Sequence, residues 1–366
     1  MQYIHFRQKV TTNGEKTVKT TVDGSDKPTL NNRTSNIRSK RIGNKLQANY
    51  IDNQLQLFRT FVYYVKARSN VYIFAFATLI SLILGFHGGA IDYGIAICVI
   101  CASYFMAFAT YIYNDIVDFK VDEINKTNRP SVTGIATKRQ LIIIVFVLNG
   151  IALLLTSFAS LNALYVSVLF IALGIAYSHP NLNLKDRFPL KTVITATGAG
   201  LLSLLGGTTA LTSNYDDNNT FSSLSLLPIV YAALFFFAFF FILGPLGDIG
   251  DLKGDRIVGR RTFPIVLGIR STITIMLLVP LTIILMAMSI AYYIYNNDIN
   301  TGNDINGAVF VHISGISLIV SICIATVVFI IRINKKVNDT LTIKATRPKM
   351  RFLHILLQIS LLVTFL

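Results

Sequence analysis

Two short segments of the chain carry aspartates at the same spacing, with members at positions i, i+3 and i+7. The first cluster is Asp115, Asp118 and Asp122, and the second is Asp248, Asp251 and Asp255. On a helix this spacing places three carboxylates on one face over two turns. Carboxylates this close repel one another unless cations lie between them, and Mg2+ prefers oxygen ligands. We therefore expect all six aspartates to be catalytic residues that hold two Mg2+ ions, for which Mn2+ could substitute.

An alternative interpretation is that these aspartates are solvated loop acids, which is the commoner role of any single Asp in a loop. Two features favour the metal site instead. The clusters contain six of the chain's 18 acidic residues, at identical spacing. Each cluster also ends a long apolar segment, and ionisable groups at a membrane edge are costly and usually functional. The recurrence further predicts two similar four-helix halves that face one another, with both metal sites acting on one diphosphate.

Long apolar segments dominate the rest of the chain. Of its 366 residues, 53% are hydrophobic and only 14% are charged, a balance that does not suit a soluble domain of this size. Nine segments approach the ~20 residues that a helix needs to cross a bilayer. They lie at roughly 71–90, 94–113, 140–158, 161–178, 192–212, 223–246, 271–295, 308–331 and 351–366. The predicted fold class is therefore an all-α, polytopic membrane protein with nine transmembrane helices.

The basic residues support this assignment, because cytoplasmic loops of membrane proteins are enriched in Lys and Arg. All 33 Lys and Arg residues fall in the N-terminal region or in alternate loops, whereas the intervening loops carry acids such as Asp92 and Asp298. This pattern predicts a multi-pass protein of the cell membrane with a cytoplasmic N-terminus and a C-terminus on the opposite side. The active site would lie at the cytoplasmic face. Contact with anionic membrane lipids accounts for the net charge of +15, so we expect no nucleic-acid partner.

Three regions follow from composition and periodicity. Residues 1–45 are rich in Thr, Asn, Lys and Asp with little apolar periodicity, which predicts a disordered basic extension. Residues 46–70 carry apolar side chains at helical spacing, which predicts an amphipathic helix lying in the membrane interface. Residues 71–366 would form the transmembrane domain.

Four further motifs accompany the aspartates, in an order that is found in a known family. They are Arg68-Ser69-Asn70 before the first apolar segment, Asn114 before and Asn128-Arg129-Pro130 after the first cluster, Tyr177-Ser178-His179-Pro180 with Lys185 between the clusters, and Gly254-Asp255-Arg256 at the end of the second. Together with the aspartates they resemble the UbiA superfamily of intramembrane prenyltransferases. The resemblance covers almost everything after about residue 55. In motif it is nearest to the branch that contains digeranylgeranylglyceryl phosphate synthase and chlorophyll synthase.

The resemblance implies a fold and a reaction. Members arrange nine helices around a central cavity and transfer an isoprenyl group from an isoprenyl diphosphate to an acceptor. Residues at positions that match the family's motifs, or that lie close to them, are expected to bind substrate. They are Arg68, Asn70, Asn114, Lys126, Arg129, Tyr177, Lys185 and Arg256. The chain departs from the family's pattern at Ser69, Asn181 and Asn183, which affects the details of acceptor and phosphate contacts.

The acceptor is the least determined part of this hypothesis. The expected partners are an isoprenyl diphosphate donor, a lipid-soluble acceptor and membrane lipids. The motifs favour transfer of geranylgeranyl to geranylgeranylglyceryl phosphate in ether-lipid synthesis, with an aromatic or tetrapyrrole acceptor as the alternative. A transporter is the alternative of another class, but carriers place their ionisable groups near the membrane midplane rather than at one edge. A phosphotransferase for CDP-activated alcohols would need an Asp-Gly-x-x-Ala-Arg string, which does not occur here.

Overall fold

The computed structural model describes residues 55–56, 58–86, 92–124, 131–132, 134–213, 223–301, 305–335 and 340–365. Within these ranges the chain is helical and contains no strand. Nine helices have 15 residues or more. They are α1 (Tyr72–Phe86), α2 (Tyr93–Val117), α3 (Lys138–Ala159), α4 (Leu161–Ser178), α5 (Leu190–Ser213), α6 (Ser223–Ile257), α7 (Ile269–Thr301), α8 (Ile305–Lys335) and α9 (Thr340–Phe365). The predicted all-α class is confirmed.

Eight of these described helices, α1 to α8, are long and apolar enough to cross a membrane. The ninth predicted span falls in α9, which begins earlier than the sequence indicated and does not meet the same criterion. The reason is visible in its first half, where Lys344, Arg347, Lys349 and Arg351 lower the hydropathy. These four residues make α9 the most basic of the long helices in the described structure.

Part of the predicted interfacial region, residues 46–54 together with Leu57, and all of the predicted disordered extension lie outside the described residues. Residues 58–67 are helical, and a turn at Arg68 leads into a short 3-10 helix at Ser69–Val71. Within the helical stretch Tyr64 is fully buried while Phe58 is largely exposed. The proposed interfacial anchor therefore stays a prediction.

The long helices form two groups with separate apolar cores. Helices α2 to α5 share one core, in which Phe108, Leu141 and Leu202 are buried and to which α6 adds Phe236 and Phe240. Helices α6 to α9 share the other, which includes Phe239 and Ile319. Helix α1 contributes to both cores and contacts α2, α5, α6 and α9. The arrangement matches the predicted two four-helix halves plus one further helix.

Helix α1 can lie directly against α5 because α5 presents two glycines at the contact. A Cβ on Gly206 would collide with the Thr78 carbonyl oxygen and would lie 3.0 Å from the Leu82 backbone nitrogen. A Cβ on Gly207 would collide with Ile229 of α6. The Thr78 hydroxyl donates a hydrogen bond to the Leu202 carbonyl oxygen, 2.7 Å away. Small residues at a helix contact allow close backbone approach, which is a main source of affinity between helices in lipid.

The contact between α1 and α5 predicts how the fold responds to one added methyl group. Gly206→Ala should destabilise the protein, because the obstructing atoms belong to the α1 backbone and cannot move aside cheaply; overpacking of this kind costs about 1–3 kcal/mol. The midpoint of thermal unfolding in detergent should fall by several degrees. Gly150→Ala in α3 is the matched control, since nothing lies within 4 Å of a Cβ there. Equal midpoints for the two variants would contradict the proposed close contact.

Candidate active site

Both halves of the fold line one cavity of about 320 Å³. Its wall contains residues from α1, α2, α4, α5, α6 and α9. Five of the six cluster aspartates line it: Asp118, Asp122, Asp248, Asp251 and Asp255. Asp115 is fully buried behind the wall. The cavity thus brings together side chains from two clusters that are far apart in sequence.

The two clusters differ in their local structure. The second lies on the continuous helix α6, as the spacing predicted. In the first, α2 ends at Val117, Asp118 is the C-cap residue, and a short helix follows at Phe119–Ile124. The Asp118 amide still donates to the Asn114 carbonyl oxygen at 2.8 Å, and the Asp122 amide to the Asp118 carbonyl oxygen at 2.9 Å. Helical pitch is therefore nearly kept across the break, and Asp118 and Asp122 both reach the cavity.

Asp118 is held between two cations from separate loops. Lys185 Nζ lies 2.5 Å from Asp118 Oδ1, and the Arg260 guanidinium donates to the same oxygen. Burial alone would raise the pKa of Asp118, but the charges of Arg260 and Lys185 outweigh it and hold the pKa below its ordinary value. Burial lowers the pKa of Lys185, and the neighbouring Asp118 offsets this only in part. The pair is a buried ion pair whose charges depend on each other.

Arg260 joins the two clusters directly. Besides Asp118 of the first cluster, it reaches Asp255 of the second through Nη1 at 3.3 Å. Its Nε donates to Asp186 at 2.6 Å, which ties the loop after α6 to the loop before α5. Burial would lower the pKa of Arg260, but these three carboxylates raise it above its ordinary value. One fixed positive charge therefore lies between the two sets of aspartates.

Lys191, at the start of α5, contacts two aspartates of the second cluster. Its Nζ lies 2.5 Å from Asp248 Oδ1 and 3.4 Å from Asp255 Oδ2. The other oxygen of Asp248, Oδ2, is buried without a hydrogen-bond partner. An unpaired buried carboxylate oxygen is costly, and it is the kind of atom that a bound cation would satisfy.

The cluster side chains have the chemistry of a site for a hard cation. All six cluster side chains offer carboxylate oxygens, which are ligands that hard cations such as Mg2+ prefer. Among the described residues, however, no group of three or more His, Cys, Asp or Glu is arranged to hold an ion by itself. The residues fit a metal that takes few protein ligands and completes its shell with other oxygens, as Mg2+ commonly does with water and substrate phosphates.

Two further ion pairs lie on the side of the cavity formed by α1 and α9. Arg68 donates to both oxygens of Asp115, with Nε 3.1 Å from Oδ2, and its guanidinium lies 5.1 Å from the centre of the Tyr111 ring. Arg347 of α9 donates to the Gly247 carbonyl oxygen at 2.5 Å and to Asp251 Oδ2 at 3.2 Å. Each cluster is therefore contacted by cations on two sides.

The predicted substrate-binding residues divide into three groups. Arg68, Asn70, Asn114 and Tyr177 line the cavity. Lys185 lies beside it, where Nζ contacts Asp118 and approaches Asn114 Oδ1 at 3.4 Å. Arg256 is exposed on the last turn of α6 and is not among the lining residues. Lys126 and Arg129 lie outside the described residues, so their assignment stays a prediction.

Sequence reasoning missed four cations that line the cavity: Lys191, Arg260, Arg347 and Arg351. For two of them, the spacing along the sequence indicates a shared helix face. Arg347 and Arg351 are four residues apart, which places them on one face of α9. Arg260 lies five residues after Asp255, but the family's motif points to the neighbouring Arg256 instead. Nothing in the local sequence distinguishes Lys191 from an ordinary positive charge at a membrane edge.

The remaining wall of the cavity is apolar. Phe74 of α1, Phe170 of α4 and Phe240 of α6 line it, and the Phe74 and Phe240 rings lie 5.5 Å apart. Leu243 and Ala199 continue this surface. The cavity is therefore amphiphilic, with carboxylates and cations on one part of its wall and aromatic or aliphatic side chains on another.

Comparison with curated proteins finds relatives over about half of the chain. One is digeranylgeranylglyceryl phosphate synthase of Sulfurisphaera tokodaii, 28% identical over 191 residues, which are 51% of this chain and 63% of that protein. Another is the protein of that name from Methanosphaera stadtmanae, 30% identical over 185 residues, 50% of this chain and 61% of that protein. The matched region thus spans less than two thirds of the length of these relatives.

Solved structures share the fold. A structure of digeranylgeranylglyceryl phosphate synthase superposes with a TM-score of 0.60 at 17% identity and covers 84% of this chain and 98% of that one. A UbiA homologue from Archaeoglobus fulgidus bound to GPP and Mg2+ gives a TM-score of 0.54 at 15% identity, covering 82% and 99%. At these identities the likeness is one of fold.

A family description matches most of the described helical domain. It covers residues 73–356, from the start of α1 to the middle of α9, and so includes both aspartate clusters and the cavity between them. This protein belongs to the UbiA prenyltransferase family.

Proposed function

We propose that this protein is a Mg2+-dependent prenyltransferase that moves an isoprenyl group from its diphosphate to a lipid acceptor. The observation that carries the proposal is the amphiphilic cavity, in which two aspartate clusters face an aromatic wall. A substrate with a diphosphate at one end and a prenyl chain at the other has the same division of polarity. The family's name and the solved relative bound to GPP and Mg2+ support the same reading.

The two clusters would hold the metal, with Asp248 as the clearest ligand because its Oδ2 is buried and unpaired. Asp118, Asp122, Asp251 and Asp255 line the same cavity and would supply further oxygens, while Asp115 supports the wall from behind. When bound, Mg2+ would neutralise charge on the diphosphate as its bond to the prenyl carbon breaks. We further propose that the site holds two Mg2+ ions and that Mn2+ can replace them.

The protein's own side chains would act on the leaving group and on the prenyl cation. As the carbon–oxygen bond breaks, its electron pair goes to the diphosphate, and fixed cations such as Lys185, Lys191 and Arg260 stabilise the growing negative charge. The acceptor hydroxyl oxygen then forms the new bond to the prenyl carbon, and its proton passes to an oxygen of the released diphosphate. Phe74 and Phe240 would shield the electron-poor carbon from water and present their ring faces to it.

Geranylgeranylglyceryl phosphate is the acceptor that we favour. The curated relatives named above carry the name of the enzyme that uses it, and the chain's motifs are nearest to that branch. A rice protein described as a probable homogentisate phytyltransferase also matches, at 29% identity over 162 residues, 43% of this chain and 41% of that protein. An aromatic acceptor is therefore the second candidate.

We also propose that the N-terminus and the active site face the cytoplasm. The support is the distribution of Lys and Arg, all of which fall in the N-terminal region or in the same alternate loops as the aspartate clusters, and such residues are enriched in cytoplasmic loops.

A transfer assay tests the function. Purified protein with radiolabelled geranylgeranyl diphosphate and Mg2+ should convert geranylgeranylglyceryl phosphate to a product with two prenyl chains, resolved by chromatography. Homogentisate and hydroxybenzoate should give little product. Removal of divalent metal by EDTA should abolish transfer, and Mg2+ or Mn2+ should restore it. Full activity in EDTA would refute the proposed chemistry.

Paired variants test the role of the aspartates in the same assay. Asp248→Asn keeps the shape of the side chain but removes its charge, and turnover should fall by at least about a hundredfold, as is common when a group that stabilises developing charge is lost. Asp92→Asn is the control. Asp92 caps the start of α2, where its oxygen accepts from the Gly94 and Ile95 amides, and Asn can do the same. If Asp92→Asn lost turnover while Asp248→Asn kept it, the catalytic role proposed for Asp248 would be wrong.

Lys185 and Arg187 form a second pair, because they are neighbours in one loop but only Lys185 is buried against the site. Lys185→Ala should raise the KM for the diphosphate and lower turnover, since one charge-assisted contact in a partly desolvated site is worth about 1.5–3 kcal/mol. Lys185→Arg should keep much of the activity because the charge remains. Arg187→Ala should behave like the wild type. If Arg187→Ala were the harmful change, another residue would bind the phosphate.

Cysteine labelling tests the orientation. Lys253 follows Asp251 on α6 and is exposed, and Tyr93 at the start of α2 is 78% exposed. In sealed vesicles with the cytoplasmic face outward, a membrane-impermeant maleimide should label Lys253→Cys but not Tyr93→Cys. The unmodified protein gives the background from its three native cysteines. Labelling of Tyr93→Cys alone would invert the proposed topology.

A further inference from the structure

Helix α9 turns a polar face towards the interior of the protein. Arg347, Arg351, His354 and Gln358 follow one another at intervals of four, three and four residues, which places them on one side of the helix. Arg347 and Arg351 line the cavity, and His354 and Gln358 are buried beyond them. The ring nitrogens of His354 and the side-chain amide of Gln358 find no partner in the described structure. A polar inward face on a buried helix is costly, which suggests that it has a function.

Arg351 differs from the other cations of the cavity. Arg68, Lys191, Arg260 and Arg347 each contact at least one cluster aspartate. Arg351 forms no ion pair or hydrogen bond with the residues that the structure describes, although it lines the same cavity. Arg68 and Arg347 line this cavity as well, and Arg347 lies one helical turn from Arg351, so positive charges are gathered on one part of the wall. Positive charges that lie together repel one another, and Arg351 has no carboxylate to compensate its charge. Such an arrangement favours the binding of an anion.

The cations of the cavity fall into two groups at different places. The loop-side group, Lys185, Lys191 and Arg260, contacts Asp118, Asp248 and Asp255. The helix-side group, Arg68, Arg347 and Arg351, lies on α9 and just before α1, and its first two members contact Asp115 and Asp251. A single diphosphate would occupy the aspartates and the loop-side group. The helix-side group would then remain available for a second anion.

We propose that Arg351, supported by Arg347, binds the phosphate group of the acceptor lipid. This inference rests on the proposed function, because it requires an acceptor that carries a phosphate monoester. A guanidinium presents a planar fork of donors that matches two phosphate oxygens. The Tyr111 ring lies 5.1 Å from the Arg68 guanidinium and 6.2 Å from the Phe74 ring, so an aromatic wall adjoins this group where a prenyl chain attached to the acceptor could lie. A neutral quinone-type acceptor would have no use for the unpaired charge.

Kinetics with separate saturation of donor and acceptor test this subsite. Arg351→Gln should raise the KM for geranylgeranylglyceryl phosphate by about ten- to a hundredfold, the range expected for one charge-assisted contact. The KM for geranylgeranyl diphosphate should change by less than about twofold, because the loop-side cations and aspartates are intact. Arg351→Lys keeps the charge but loses the planar fork of donors, so its KM for geranylgeranylglyceryl phosphate should lie between those of the wild type and Arg351→Gln. Geranylgeranylglycerol, which lacks the phosphate, should be a poor acceptor for the wild type, and its disadvantage should shrink in Arg351→Gln.

Lys349→Gln is the matched control, since Lys349 lies on the same helix but is exposed and should leave both KM values unchanged. Thermal unfolding midpoints establish that each variant is folded, and Arg351→Lys serves if Arg351→Gln is not. Equilibrium binding of radiolabelled geranylgeranylglyceryl phosphate without donor tests the subsite independently of turnover. Acceptor binding that depends on Arg351 without any transfer would refute the proposed function but keep the subsite. Transfer with an unchanged acceptor KM in Arg351→Gln, or a rise confined to the donor KM, would refute the subsite.

Discussion

The site depends on how negative charge is balanced where the two halves of the protein meet. Six carboxylates lie in two clusters on opposing helices, and their repulsion would separate those helices if it were not compensated. Arg260 lies between them, contacting Asp118 on one side and Asp255 on the other, and Asp186 fixes its remaining nitrogen. Removing one partner of such a buried pair typically costs about 3–5 kcal/mol. The position of this one guanidinium therefore affects both the stability of the contact and the spacing of the aspartates.

The cavity combines requirements that are usually in conflict. Groups that hold or neutralise phosphate must be charged, yet a prenyl chain and a reactive carbon require an apolar surface without water. The fold separates them along one wall, with Lys191 and Asp248 on the charged part and Phe170 and Phe240 on the apolar part. The charged part is built where loops and helix ends meet. Ions cost less to bury there than they would in the middle of a membrane-spanning helix.

The sequence predicted the parts of this structure that arise from repetition and composition. The aspartate spacing, the apolar segments and the alternation of basic loops identified the two halves and the cluster residues without any tertiary information. The sequence alone could not distinguish cations of the site from ordinary loop cations, because Arg260 and Arg256 are both basic residues in a region where such residues are expected. Only the fold distinguishes them, by turning Arg260 towards Asp118 and leaving Arg256 exposed. Likewise, α2 has Asp118 as its C-cap residue, and the Asp118 side chain contacts Lys185 and Arg260, both of which are remote in sequence.

The close packing of α1 on α5 links a contact between two helices to the candidate active site. Helix α1 is held at Thr78 by the glycines of α5, and one turn earlier along the same helix Phe74 enters the cavity. A helix moves as a rigid rod over such a short distance, so a displacement of α1 at the glycines would shift Phe74 by a similar amount. It would also disturb Arg68, which lies just before α1 and pairs with Asp115 of α2. A larger side chain at Gly206 or Gly207 would therefore affect the protein in two ways, through lost stability and through a misaligned cavity.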